Sequence, residues 1–177
     1  MALKLLNLII SLILCLNSFG QNSRQGENAI LKPNIRLVSF NELKLNKLNK
    51  DSLENWKIPI VIFFWMHSCK PWIRELNIIN KLVDSQKIND KIRMLAVSTD
   101  KPENYERAKQ LAINNGWKYE MYFDIGCELR NSLLNNWFGV PQLMIIDEEK
   151  IISLHKLGYR PGDEEEIVKI IIEMIKK

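Results

Sequence analysis

One stretch constrains the fold more than any other: Ile60-Val61-Ile62-Phe63-Phe64-Trp65-Met66-His67-Ser68-Cys69-Lys70-Pro71-Trp72-Ile73-Arg74-Glu75-Leu76. It opens on a continuous apolar run rich in β-branched and aromatic side chains. Such a run suits a strand buried on both faces. After Pro71 the apolar residues Trp72, Ile73, Leu76, Ile79 and Leu82 return at helical spacing. Proline fits the first turn of a helix, where its missing N–H costs no hydrogen bond. Cys69 is therefore predicted at the junction of a central strand and a helix N-terminus. Unpaired N–H groups and the positive end of the helix dipole favour negative charge there, so the position suits a nucleophile. The plainer role for the same residue is a small buried hydrophobe. His67 and Lys70 flank it in sequence, either as tuning cations or as solvated surface groups.

The stretch resembles the thioredoxin active site, an apolar strand followed by Phe-Trp-Ala-x-Trp-Cys-x-Pro-Cys and a helix carrying Glu. Phe64, Trp65, Cys69, Pro71 and Glu75 match that pattern, while Met66 replaces Ala, Ser68 replaces Trp and Trp72 replaces the second Cys. In the family the second cysteine resolves the mixed disulfide formed by the first. An indole in its place has three roles open to it. Packed against the sulfur, it disfavours the thiolate by desolvation. Turned outward, it gives a substrate peptide an aromatic contact. It also suits plain core packing. Glu75 matches the family glutamate and equally suits a helix surface.

Phe138-Gly139-Val140-Pro141-Gln142-Leu143 resembles the family's Gly-Val-Pro-Thr loop, whose proline is cis, with Gln142 for the usual Thr. X–Pro bonds are the ones a fold holds cis at small cost. The resemblance implies that Pro141 faces Cys69 and that the Val140 backbone pairs with a bound polypeptide as an added strand. Trp72, Val140 and Pro141 are thus the expected substrate-binding residues, and Cys69 the catalytic one. Cys127 is either a distant resolving thiol, as in some peroxiredoxins, or a packed residue at a helix start. Peroxiredoxins carry Pro and Thr upstream of the reactive cysteine, where this chain has Ile62 and Met66. His67 and His155 are isolated and no Cys-x-x-Cys occurs, so no metal or cofactor is expected.

The rest of the chain is read around this centre. At 177 residues there is room for one domain. Residues 1–20 read as a secretory signal peptide: Lys4, the apolar run Leu5–Leu16, then Ser18-Phe19-Gly20. That run is short for a bilayer span, and left uncleaved it would be the chain's route to a membrane. Leu14 stands where lipidation of Cys15 would want a small residue. Residues 21–34 read as a flexible linker and 35–177 as the folded domain. The mature chain then keeps Cys69 and Cys127 in a compartment that permits disulfides. The net charge of +4 comes from Lys and Arg interleaved with acids, without the basic stripe of a nucleic-acid binder.

Strands are predicted at Ile35–Phe40, Ile60–Trp65, Ile92–Val97, Tyr119–Phe123, Leu143–Ile146 and Ile151–His155. Helices are predicted at Asn41–Asn55, from Pro71 to about Gln86, at Pro102–Asn115, Glu128–Trp137 and Asp163–Lys177. A capping box of Asp163 with Glu166 should open the last of these. Strands alternating with helices imply an α/β fold, a central mixed sheet flanked by helices on both faces. An N-terminal βα extension and a βα insertion at about 100–123 complete it. This order is similar to the TlpA/ResA-like extracytoplasmic thioredoxins over residues 36–177. The resemblance implies an exported thiol–disulfide oxidoreductase with protein or small-molecule thiols and disulfides as partners. With a single nucleophilic Cys69, isomerase-like or reductase-like mixed-disulfide chemistry is expected. The alternatives are a redox-inactive peptide-binding module of the same fold and, more weakly, a peroxiredoxin-like peroxidase.

Overall fold

The computed structural model describes residues 35–39, 45–48, 57–134 and 136–176. Within them the strands are β1 (Ile35–Ser39), β2 (Leu45–Leu48), β3 (Ile60–Trp65), β4 (Arg93–Ser98), β5 (Glu120–Phe123), β6 (Gln142–Ile146) and β7 (Ile152–Leu157). The helices are α1 (Lys70–Gln86), α2 (Tyr105–Asn114), α3 (Glu128–Leu133) and α4 (Asp163–Met174), with single 3-10 turns at Pro102–Asn104 and Ile125–Cys127. The strands form one sheet in the order β2-β1-β5-β4-β3-β6-β7. Strand β3 is parallel to β4 and antiparallel to β6. Strand β4 is parallel to β5, and β6 is antiparallel to β7.

Every residue of β3 is buried, as its unbroken apolar run requires. Successive side chains of a strand point to opposite faces. Val61, Phe63 and Trp65 pack with Trp72, Leu76, Ile79 and Val83 of α1 and with Ile167, Val168 and Ile171 of α4. Ile60, Ile62 and Phe64 pack with Leu129 and Leu133 of α3. The sheet is thus covered on both faces, as expected, and α1 and α4 lie together on one of them.

Three expectations change. Residues 45–48 of the helix predicted at Asn41–Asn55 form strand β2, paired antiparallel to β1 from Ile35↔Leu48 to Val38↔Leu45. The leucine spacing there suits a helix, but the free edge of β1 supplies backbone partners that a surface helix would leave unpaired. Over these residues the N-terminal extension is a β-hairpin. Helix α3 stops at Leu133 because Leu134 turns extended (φ −115°, ψ 128°). Trp137, expected inside that helix, instead sets its ring edge-on to Phe64, 5.7 Å between centroids. The capping box at α4 does not form. Gly162, at φ 100°, is the N-cap, and Asp163 is already helical. Asp163 accepts from the Arg160 N–H at 2.6 Å, and Glu164 from the Gly162 N–H at 3.0 Å. The predicted signal peptide, the linker and the rest of 41–55 lie outside the described residues. No helix among the described residues is long and apolar enough to cross a membrane.

Candidate functional site

Strand register builds the site. Antiparallel pairing sets Phe64 of β3 opposite Gln142 of β6. The chain leaving β3 and the chain entering β6 therefore share one end of the sheet. Parallel pairing sets Trp65 opposite Ser98, so the exit of β4 at Thr99 and Asp100 lies at that end too. Thr99 ties the exits together, its N–H and hydroxyl both donating to the Trp65 carbonyl, at 2.8 and 3.1 Å.

Cys69 closes a tight turn, its N–H donating to the Met66 carbonyl at 3.1 Å. It is the N-cap of α1, with Pro71 in the first turn, as the sequence predicts. The Cys69 carbonyl already accepts the first helical bond, from Ile73 N–H at 3.1 Å. Its thiol makes no capping bond, and the first turn of α1 carries no acid. The sulfur is free and only partly covered, with the residue packed against the α1 core. Lys70 is exposed at the first helical position.

His67 is not a loose surface cation. Its backbone N–H donates to Asp100 Oδ2 at 2.9 Å, and its ring Nδ1 lies 2.5 Å from Asp100 Oδ1. Ser98 Oγ donates to the same carboxylate at 2.8 Å. Asp100 lies 33 residues after His67, beyond the reach of any local pattern in the motif. The Ser-x-Asp at the end of a predicted strand was the available signal.

Trp72 is fully buried, its ring centroid 6.0 Å from that of Phe63. Of the orientations open from the sequence it takes the inward one, so the substrate contact expected of it has no exposed surface to make it. Apolar packing at the third helical position outweighs exposure of so large a ring. The indole Nε1 nonetheless finds no hydrogen-bond partner. One turn on, Glu75 is also fully buried, with neither carboxyl oxygen bonded. The helix-surface reading of Glu75 is therefore corrected. Burial raises its pKa to about 8, nearby Asp163 and Glu164 push the same way, and Lys156 pulls against them.

At the same end of the sheet, just before β6, the Val140–Pro141 peptide bond is cis. Gln142 Nε2 donates to the Gly139 carbonyl at 2.7 Å, and Gln142 Oε1 meets His155 Nε2 at 3.1 Å. The Gly158 N–H donates to the Pro141 carbonyl at 3.0 Å. The buried Gln142 thus fastens this loop from behind. Val140 and Pro141 are half-buried, and Phe138 is 59% exposed beside them.

Cys127 and Cys69 are both free thiols, with no disulfide between them. Cys127 opens α3, whose leucines pack on the other sheet face, and follows β5, with β4 lying between β5 and β3. Its sulfur accepts a hydrogen bond from Arg130 Nη2. Arg130 also pairs with the buried Asp124 at 3.4 Å and lies 4.8 Å from the Trp137 ring centroid. Among the described residues no group of three or more His, Cys, Asp or Glu is placed to hold a metal.

A free thiol at a strand-to-helix turn, with a cis-proline loop at the same end of a mixed sheet, invites comparison with known proteins. No curated protein matches the chain. Among solved structures it is similar to a thioredoxin-like protein from Porphyromonas gingivalis, at 33% identity and a TM-score of 0.66, covering 84% of this chain and 94% of that one. A putative protein disulfide isomerase from Bacteroides thetaiotaomicron shares 21% identity at a TM-score of 0.70, covering 87% and 91%. A putative thiol:disulfide interchange protein DsbE from Chlorobium tepidum shares 21% at 0.65, covering 85% and 97%. The fold is thioredoxin-like. The profile of the AhpC/TSA family matches residues 35–155, from β1 into β7, and the chain belongs to that family.

Proposed function

We propose that the protein is an exported thiol–disulfide oxidoreductase acting through one nucleophilic cysteine, Cys69. The observation that carries this reading is the pairing of a partly exposed, free Cys69 at the α1 N-cap with a fully buried Trp72 where a second thiol would stand. The chemistry follows in two balanced steps. The Cys69 thiolate attacks a disulfide, one substrate sulfur leaves as a thiolate that takes a proton from water, and a mixed disulfide remains. A second thiol, from a substrate or a small molecule, then attacks the substrate sulfur, forms a new disulfide and frees Cys69. Each step exchanges one S–S bond for another, which suits isomerisation or removal of a small-thiol adduct. Val140 and Pro141 form the wall against which the substrate backbone lies in this reading. Export is supported by Lys4, the Leu5–Leu16 run and Gly20, with Gln21 as the mature N-terminus. The putative disulfide isomerase and interchange protein among the structural neighbours support disulfide chemistry.

The test is mass spectrometry after exposure to glutathione disulfide. The mature protein is expected to gain one glutathionyl group on Cys69, released by added thiol, and Cys69→Ser is expected to lose that adduct entirely. Absence of any adduct on Cys69 overturns the reading and leaves a peptide-binding module. Turnover of hydroperoxide instead of disulfide would move it to a peroxidase. Intact mass of the exported chain is expected to begin at Gln21; a mass retaining Met1 overturns the export step.

A further inference from the structure

From the hydrogen bonds around Asp100 we infer that His67 is the acid–base residue of thiol exchange at Cys69, with Asp100 as its positioning residue. This rests on the single-cysteine reading above. Asp100 is only 6% exposed, and a buried carboxylate must be satisfied by donors. It takes the His67 N–H, the His67 ring and the Ser98 hydroxyl. Its own N–H donates back to Ser98 Oγ at 3.1 Å. A carboxylate accepting from Nδ1 holds the ring proton there, which leaves Nε2 as the nitrogen that takes or gives a proton. The ring is 22% exposed, so a small thiol can reach it.

His67 and Cys69 are the second and fourth residues of the turn closed by the Cys69 N–H. Asp100 grips that turn through backbone and ring at once. The result is a base oriented by a buried carboxylate, held two residues before the cysteine in the same turn. The chain has a chemical use for it. An incoming thiol is mostly protonated at neutral pH, its ordinary pKa being about 8.5. In a dithiol protein the second sulfur lies at hand; here Trp72 stands in its place. His67 Nε2 takes the proton of the incoming thiol, whose sulfur attacks the mixed disulfide. The departing Cys69 thiolate then recovers the proton from the imidazolium. No electrons are left over, because one S–S bond forms as another breaks. The titratable groups coupled to Asp100 are those that share the Tyr105 hydroxyl of α2 with it, Asp124 and Glu103, while Lys101 and Lys70 are its and Cys69's charged neighbours in sequence. Burial above all, then Asp124 and Asp100, raises the Tyr105 hydroxyl.

The experiment follows resolution of the preformed Cys69–glutathione adduct by 2-mercaptoethanol from pH 5.5 to 9 in the full mature chain. General acid–base residues typically contribute about 10²–10⁴-fold. His67→Ala is expected to slow resolution at least about tenfold near pH 6.5, with the deficit closing as pH approaches the pKa of the attacking thiol. Added imidazole should restore part of the rate. Asp100→Asn should shift the profile in the same direction. Because that change also loosens a buried network, His67→Gln serves as the second variant. It keeps a polar side chain at a part-exposed position, and should fold normally yet resolve as slowly as His67→Ala. If His67→Ala and His67→Gln match the wild type at every pH, and imidazole changes nothing, the inference is overturned while the role of Cys69 stands. If the wild type forms no adduct at all, both fall together.

Discussion

Trp72→Cys is expected to convert the protein into a dithiol reductase while costing it much of its stability. Cys69 is the helix N-cap, residue 72 is three positions on, and the bond from Ile73 N–H to the Cys69 carbonyl shows the helical turn already formed. Residues three apart in a helical turn have Cα atoms about 5 Å apart, within the Cα span a disulfide bridges. The missing element for an internal disulfide is therefore the second sulfur. The cost arises because Trp72 is completely buried in the core it shares with Phe63, Leu76 and Ile79. Truncating a core tryptophan costs about 3–5 kcal/mol. Removing the unbonded indole N–H returns a part of that. The expected results are loss of two of the mature variant's three thiols, Cys69 and the introduced one, under mild oxidant with Cys127 left free, and reduction of insulin disulfides with a dithiol donor, where the wild type is poor. The urea midpoint should be clearly lowered. A folded variant that keeps Cys69 and the introduced thiol free under oxidant would show that position 72 does not face Cys69 as a resolving residue must.

Glu75→Gln is expected to change how stability depends on pH. The buried, unbonded carboxyl holds its proton up to about pH 8, whereas in the unfolded chain it releases it near 4.5. The folded state thus binds the proton more tightly. Its contribution is complete below pH 4.5 and is lost as pH rises to about 8. The slope within that window is about 1.4 kcal/mol per pH unit, and it flattens above. Across the window this reaches several kcal/mol, on the order of a small domain's total stability. Glutamine has nearly the same shape and cannot ionise, so the variant should lose this slope and exceed the wild type at pH 8.5. Asp124, which burial raises above the usual carboxylate range, contributes alike to both proteins and cancels in the difference. Urea midpoints at pH 5 and 8.5 decide the matter. Parallel changes in the two proteins would show that Glu75 does not titrate in this window.

The two residues differ in how much of their fate was written locally. Cys69 could be placed from the sequence because each cue acts over a few residues. An apolar run makes a buried strand, proline starts a helix, and the cysteine between them becomes the N-cap. The parallel β3–β4 pair, the closing β6–β7 hairpin and the helices on both faces follow from the same short-range periodicities. Pairing across sequence distance was not legible. Leu45–Leu48 became a strand because β1 stood beside it, a neighbour that leucine spacing alone does not reveal. Glu75 reads as a charged residue on a helix, and only the packing of α4 and β7 over that face strips it of water and neutralises it. The direction of Trp72 was settled by the same packing. His67 and Lys70 look alike as neighbours of Cys69. The return of the chain through β4 brings Asp100 to His67 and leaves Lys70 in solvent. Local sequence determined where the thiol sits, because strand, turn and helix starts are short-range events. Tertiary structure alone decided which charges and rings surround it, because those contacts depend on strand order.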